Sequence, residues 1–338
     1  MSKSELSDGP PDTVTPASSY SFLPLKLTLR ICLSVHAKAY DSLGFVLPTK
    51  MIGNLLFRTN LQFMNQRLYR EENKLKGKIP WDSEISEEFI SSWLEYFMML
   101  SSLDTVMFPR SIKPENVNPD ILPDMITFCD GNPEAFGAVC YALWTLLDGT
   151  KQASLIMSKA KLSPLQYKGE TTRNELAGAT FASRIKCWVI ENTGLEFGKH
   201  VPFLDSMIVK DMIKKESYGF NTFAGLRVAE IQKKTEVDDW KHIPSGENIA
   251  DVLTKGVKPD KLGPVSTWQC GPDWLVRSES EWPVTIPVLT AEDHETILKY
   301  QNAGAKKAQT LVAKAGKLVE TLELDELIFG CGELGKLI

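Results

Sequence analysis

Met125-Ile126-Thr127-Phe128-Cys129-Asp130-Gly131-Asn132 is an apolar run of strand length that stops at an acid followed by turn residues, the pattern of a strand with a carboxylate at its C-terminal end. Three other acids sit at comparable places. Val201-Pro202-Phe203-Leu204-Asp205-Ser206 repeats the design. Thr172-Arg173-Asn174-Glu175-Leu176-Ala177 and Asn248-Ile249-Ala250-Asp251-Val252-Leu253 each place a capping-type residue three positions before an acid at a helix start. Two strand ends and two helix starts can face one pocket, so Asp130, Glu175, Asp205 and Asp251 are the candidate catalytic and metal-binding residues.

Outward from these acids, strand-like runs at 124–130, 135–146 and 153–161 are joined by short turns at Gly131-Asn132-Pro133 and Asp148-Gly149, as consecutive antiparallel strands require. A helix is predicted from about Arg173 to Glu191, then the strand ending at Asp205, a short helix from Met207 to Ile213 and a helix from Thr222 to Lys233. A strand at Trp240–Pro244 and a last helix from Ile249 complete the series. The order βββ-α-β-α-α-β-α resembles that of RNase H-like folds. The expected class is α/β, with a five-stranded mixed sheet flanked by helices over 120–258.

Before it, 24–115 reads as a mostly helical, thumb- or connection-like region. Its clearest element is Ser86–Leu103, where Phe89, Ile90, Trp93, Leu94, Phe97 and Met98 recur at helical spacing behind Trp81-Asp82-Ser83. Prolines 109, 114, 119 and 123 mark the boundary between the two regions. Residues 1–23, polar and rich in Ser, Pro and Asp, read as a disordered tail, 259–289 as a Trp-containing linker, and 290–338 as a helical tail with a helix from Glu292 to about Leu318.

Composition excludes fibrous and disordered classes: the 338 residues are 43% hydrophobic and 24% charged. No apolar run approaches a membrane span or the core of a signal peptide. The six cysteines form no C-x-x-C pair and read as reduced, which points to an intracellular protein of cytoplasm or nucleus. Net charge is −5, yet 120–260 carries 17 Lys and Arg against 19 Asp and Glu, four of which are the candidate ligands. That balance permits a nucleic-acid partner.

Five segments, namely 128–132, 172–176, Leu204-Asp205-Ser206, Phe223-Ala224-Gly225-Leu226-Arg227-Val228-Ala229-Glu230-Ile231 and 248–256, resemble successive motifs of the polyprotein of BEL/Pao-type LTR retrotransposons. Ser34 to Pro48 resembles the segment after that family's reverse-transcriptase palm, and Trp268-Gln269-Cys270-Gly271-Pro272-Asp273-Trp274-Leu275 a tryptophan motif after its RNase H domain. The resemblance covers roughly residues 27 to 283. It implies a site that cuts the RNA strand of RNA·DNA hybrids with two Mg²⁺ ions, Mn²⁺ substituting, held about 3.5–4 Å apart. By that analogy Asp130 bridges both ions, Glu175 and Asp205 hold the one nearer the leaving group, and Asp251 the one that activates water. The implied partners are an RNA·DNA hybrid and a reverse transcriptase, with no membrane.

Departures are also visible. The segment 244–248 is too short for the His-bearing loop of many RNases H, and His242 reads as a strand residue. Thr172-Arg173-Asn174 stands where the family usually has Pro-Arg-Leu. Polymerase Tyr-x-Asp-Asp and integrase zinc motifs are absent from the sequence, so the chain reads as a remnant spanning the polymerase-to-RNase H junction. The region is often labelled a Pao retrotransposon peptidase, but aspartic peptidases need an Asp-Thr/Ser-Gly loop, which Asp41-Ser42-Leu43 and Asp205-Ser206-Met207 do not supply.

Each acid also has a plainer role available. Thr172-x-x-Glu175 fits a capping box, Asn248-x-x-Asp251 nearly does, and Asp130 and Asp205 could start ordinary turns. His36, His200 and His294 have no ligand-spaced partner. Two function classes stay open: a Mg²⁺-dependent ribonuclease, or a non-catalytic RNase H-like module that binds nucleic acid or protein.

Overall fold

The computed structural model describes residues 26–72, 81–167, 169–286 and 288–302. The expected tail at 1–23 lies outside the described residues, as does everything beyond 302; the helix expected from Glu292 to about Leu318 is present from Ala291 but ends at Tyr300, where Gln301 turns extended. The N-terminal region is helical: α1 is Leu29–Lys38, α2 Leu47–Glu72 and α3 Glu87–Ser102. Thr28 caps α1 by accepting from the Ile31 amide at 3.3 Å. In α3, Trp93 and Tyr96 are fully buried against Leu29 and Cys32, with Phe89 and Phe97 packed at the side. The expected stripe is rotated at one end: Met98 is half exposed and Tyr96 takes the inward place. Asp82 starts no helix. It pairs with Arg30 of α1 at 2.6 Å, pinning the approach to α3.

The second region contains β1 (Asp124–Gly131), β2 (Ala135–Thr145), β3 (Lys151–Leu162), α4 (Thr171–Thr193), β4 (His200–Leu204), α5 (Met207–Lys214), α6 (Thr222–Lys234), β5 (Lys241–His242) and α7 (Asp251–Lys255). The sheet order is β3-β2-β1-β4-β5. The first three strands are antiparallel, whereas β4 runs parallel to β1 and β5 parallel to β4. This is the five-stranded mixed sheet of an RNase H-like fold. Parallel strands buried on both faces need continuous apolar sequence, which is why β1 and β4 read as runs rather than alternations. Two expected elements are shorter: β5 has two residues because Pro244 cannot extend its ladder, and α7 starts at Asp251 after a 3-10 turn at Ser245–Glu247.

Each face of the sheet is covered. On one, α4, α5 and α6 pack over Cys129, Ala138 and Cys140, joined by Ile297 of α9 (Ala291–Tyr300). On the other, 259–289 contributes Trp268 of α8 (Thr267–Cys270), Trp274, Leu275 and Trp282 to the core with Phe128 and Phe203. The Phe128 and Phe203 rings stack at 5.0 Å and Trp274 meets Phe203 edge-on at 5.4 Å. The stretch expected as a linker is therefore part of the packed sheet domain.

The helical region is fastened to the sheet by α2. Thr49 donates to the Val257 carbonyl at 2.8 Å. Arg58, 8% exposed, donates to the backbone carbonyls of Glu134 and Ser163 and forms an ion pair with the Glu134 carboxylate. An always-charged guanidinium can be buried here because carbonyls and a carboxylate surround it.

Candidate active site

Asp130 is delivered at the C-terminal end of β1 and is 7% exposed. Its Oδ2 accepts a hydrogen bond from the Thr254 hydroxyl of α7. Asp205 follows the last residue of the neighbouring parallel strand β4. Glu175 projects from α4, and its Oε2 accepts from the Ser206 hydroxyl at 2.6 Å. Asp251, the first residue of α7, is tied to Lys255 one turn later at 2.5 Å.

Backbone anchors fix this arrangement. Asn248 donates to the Cys129 carbonyl at 2.9 Å, locking the α7 approach onto the end of β1. Asn174 donates to the Asn132 carbonyl at 2.7 Å. The polar residue before Glu175 thus binds α4 to the β1–β2 turn. His242 lies on β5 as expected, where Nε2 sits 3.1 Å from the Asp205 carbonyl and Nδ1 2.6 Å from the Thr285 hydroxyl. It holds the backbone of one acid and does not face the carboxylates as a loop histidine would.

Two glycines allow the close approach. A Cβ on Gly131 would lie 2.2 Å from the backbone of Asn174 and Glu175, and one on Gly178 would lie 2.5 Å from the Asp130 carbonyl. Glycine inside a helix costs about 1 kcal/mol relative to alanine. Gly178 is the sequence signal of this contact that motif reading passed over.

The capping roles do not hold. Helix α4 begins at Thr171 behind Glu170, which makes no side-chain cap, so Glu175 lies a full turn inside. The Asn248 side chain accepts from Ala250 rather than from Asp251. Released from capping, the acids interact with one another. Burial first, then Asp205 and Asp251, pushes the Asp130 carboxyl up to about 6 against the pull of Thr254. Burial first, then Asp205 and Asp130, pushes Glu175 up to about 7 despite Ser206. Lys255 is raised by its bond to Asp251 and also by Asp130 and Asp205.

The donor set suits a hard divalent cation: four carboxylates, two of them carrying repulsion that a cation would relieve. Among the described residues, no three of the acids converge at metal-ligand distance. Thr254, Ser206 and Lys255 occupy oxygens that a cation would share or take over.

A family model described as the Pao retrotransposon-like RNase H-like domain matches residues 28–206, more than half of the chain. The chain belongs to that family. The Pao-type match takes in the helical region together with Asp130, Glu175 and Asp205, and Asp251 lies beyond its end. No curated protein matches the chain. Among solved structures, it is similar to the N-terminal RNase H domain of a Mycobacterium tuberculosis protein fused to maltose-binding protein, at 10% identity, covering 39% of this chain and 97% of that one, with a TM-score of 0.27. It is also similar to RNase H1 from Halobacterium salinarum at 15% identity, covering 39% and 92%, with a TM-score of 0.21. No helix among the described residues is long and apolar enough to cross a membrane.

Two predictions arise from this Pao-type site. Ser206→Ala removes both the α5 cap, which accepts from Val209 at 3.2 Å, and the Glu175 hydrogen bond. A loss of about 1–2 kcal/mol is expected in urea unfolding. The second concerns pH. An acid raised in the folded state contributes stability below its unfolded value, here 3.8 for Asp130, and loses it as pH rises through about 6. Buried His200 and His36, lowered to about 3 and about 4 by burial, work in the opposite direction over the same range. The total stability therefore hides the acid. The difference between Asp130→Asn and the unsubstituted protein reports Asp130 together with the part of the Glu175 shift that Asp130 causes, and in EDTA the variant should gain about 2–3 kcal/mol relative to wild type between pH 4 and pH 7. A flat difference across that range would remove the repulsion from the account.

Proposed function

We propose that the chain carries a divalent-metal-dependent ribonuclease site that cleaves the RNA strand of RNA·DNA hybrids. The observation that carries this reading is that hydrogen bonds from Ser206 to Glu175, from Thr254 to Asp130 and from Asn248 to the Cys129 carbonyl draw the four elements bearing Asp130, Glu175, Asp205 and Asp251 to the C-terminal end of the adjacent parallel strands β1 and β4. Structural acids at caps and turns have no reason to repel one another in a partly buried cluster.

Asp130, Glu175, Asp205 and Asp251 would hold Mg²⁺, which when bound supplies an activated water and neutralises charge on the leaving 3′ oxygen. The chain's own groups prepare the place. Ser206 orients Glu175 and Thr254 orients Asp130. His242 restrains the Asp205 carbonyl, and Asn248 and Asn174 hold α7 and α4 against the end of β1. The guanidiniums of Arg173 and Arg227 lie over the Phe223 ring, 3.5 and 3.6 Å from its centroid. Arg173 is also paired with the Glu170 carboxylate at 3.6 Å.

The second reading, a non-catalytic module, is favoured by one observation: Asp251 is neutralised by Lys255 in an ion pair. Incubating the full chain with a labelled hybrid in Mg²⁺ and in Mn²⁺, beside an Asp130→Asn, Asp205→Asn double variant, separates the two. Cleavage lost in the variant supports the nuclease. No cleavage by a folded chain in either metal sinks it.

A further inference from the structure

Strand β3 and helix α4 form a second, chemically different groove away from the acids. Met157, Lys159 and Lys161 alternate onto one face of β3, the period of a strand. Phe181, Arg184, Ile185 and Trp188 recur at three- and four-residue spacing along α4, one stripe of a helix. The two stripes oppose one another around a groove of about 300 Å³. Its floor is apolar: Met157, Phe181 and Ile185 are all buried. Its rim is basic and aromatic. Lys159 and Lys161 are exposed and, among the described residues, neither has a carboxylate partner. Lys161 reaches within 6.0 Å of the Phe181 ring centroid, and Trp188 leaves 41% of its surface in solvent. Arg184, by contrast, is neutralised by Glu230 through two bonds of 2.7 Å, so it shapes the groove without adding net charge.

Unpaired lysines beside an open indole over an apolar floor are the elements of a single-strand site: the cations follow the phosphates and the ring stacks a base. Register places this groove behind the acid-bearing end of the sheet, on the face that α4 covers, since paired residues share a face and the lysines flank the one that pairs toward Asp130. Asp130 pairs with Gly137, and Gly137 pairs with Ala160, the residue between the two lysines. Adjacent strands are about 4.8 Å apart, so the lysine backbone lies roughly 10 Å from that of Asp130. We infer that the β3–α4 groove binds a single-stranded segment of nucleic acid, with phosphates on Lys159 and Lys161 and a base on Trp188. This does not depend on the acids being catalytic. The exposed indole, a stacking platform for a base, favours a nucleic acid over an acidic peptide.

The test uses the full chain in EDTA, which keeps any hydrolysis out of the measurement, and a fluorescein-labelled 15-nucleotide oligouridylate followed by anisotropy. Lys159→Gln with Lys161→Gln should weaken binding by about tenfold or more and flatten the slope of log K against log salt by about 1.4, two phosphates' worth for a single strand. Trp188→Ala should cost about tenfold, and Trp188→Phe should restore most of it, a pattern that loss of helix stability alone does not produce. Unchanged melting temperatures establish that the exposed substitutions leave the fold intact. Variants that bind within twofold of the unsubstituted chain, an unsubstituted chain that does not bind, or a poly-glutamate peptide that displaces the probe more effectively than unlabelled oligouridylate would each overturn the assignment.

Discussion

Asp130→Asn is expected to slow hybrid cleavage by about 10³-fold or more while leaving the metal-free protein more stable at neutral pH. The first half follows from removing a charged oxygen from a site that stabilises a displacement through bound cations, worth roughly 4 kcal/mol at about 1.4 kcal/mol per factor of ten. The second follows from burial and from the repulsion by Asp205 and Asp251 that pushes this carboxyl up to about 6. An amide keeps an acceptor for Thr254 and discards the charge. The combination is diagnostic, because an acid retained for a turn or a cap would lower stability on removal and leave chemistry untouched. Cleavage rates in Mg²⁺ and urea midpoints in EDTA, from one preparation, give both numbers. A variant that is slower and also less stable at pH 7 would assign Asp130 to the scaffold.

Gly131→Ala should be the most damaging single methyl in the domain. The added Cβ would sit 2.2 Å from backbone atoms of Asn174 and Glu175, which have no rotamer to change. Either α4 moves off β1 or the strand end bends. Overpacking of this kind costs about 1–3 kcal/mol where side chains can yield, and here a loss of at least about 3 kcal/mol is expected. If folding survives, Asp130 and Glu175 separate and cleavage falls with stability. Gly246→Ala is the matched control: its Cβ would meet nothing within 4 Å and its backbone has no left-handed angle, so its unfolding midpoint should stay within about 0.5 kcal/mol of wild type. Equal midpoints for the two variants would show that the α4–β1 contact is looser than described.

The strand runs ending at Asp130 and Asp205 were legible because parallel strands buried on both faces cannot hide their apolar sequence, and the element order followed from turn residues between them. The acids themselves were legible as types at element ends. What was not legible depends on which elements meet. Thr254, Ser206, His242, Asn174 and Asn248 are ordinary polar residues until the fold brings Thr254 to Asp130 and Asn248 to Cys129, across 124 and 119 residues of sequence. Helix-start patterning placed Glu175 two residues too near the helix start, because Thr172 offers a plausible cap that the helix does not use. The tryptophans of 259–289 read as a linker because irregular backbone carries no period, yet Trp268 donates to the Phe45 carbonyl at 2.7 Å and accepts at its own carbonyl from Tyr141 at 2.8 Å.

Buried Arg58 sets a practical limit on how the gene can be trimmed. A fragment beginning at the proline-rich boundary would keep every acid and every strand, but would lose the only described guanidinium that reaches both the Glu134 and Ser163 carbonyls. It would also uncover the surface on which α2 rests. Such a piece should express poorly and aggregate, so the smallest useful unit for crystallisation or for grafting into another protein begins upstream of Thr28, with all three leading helices attached.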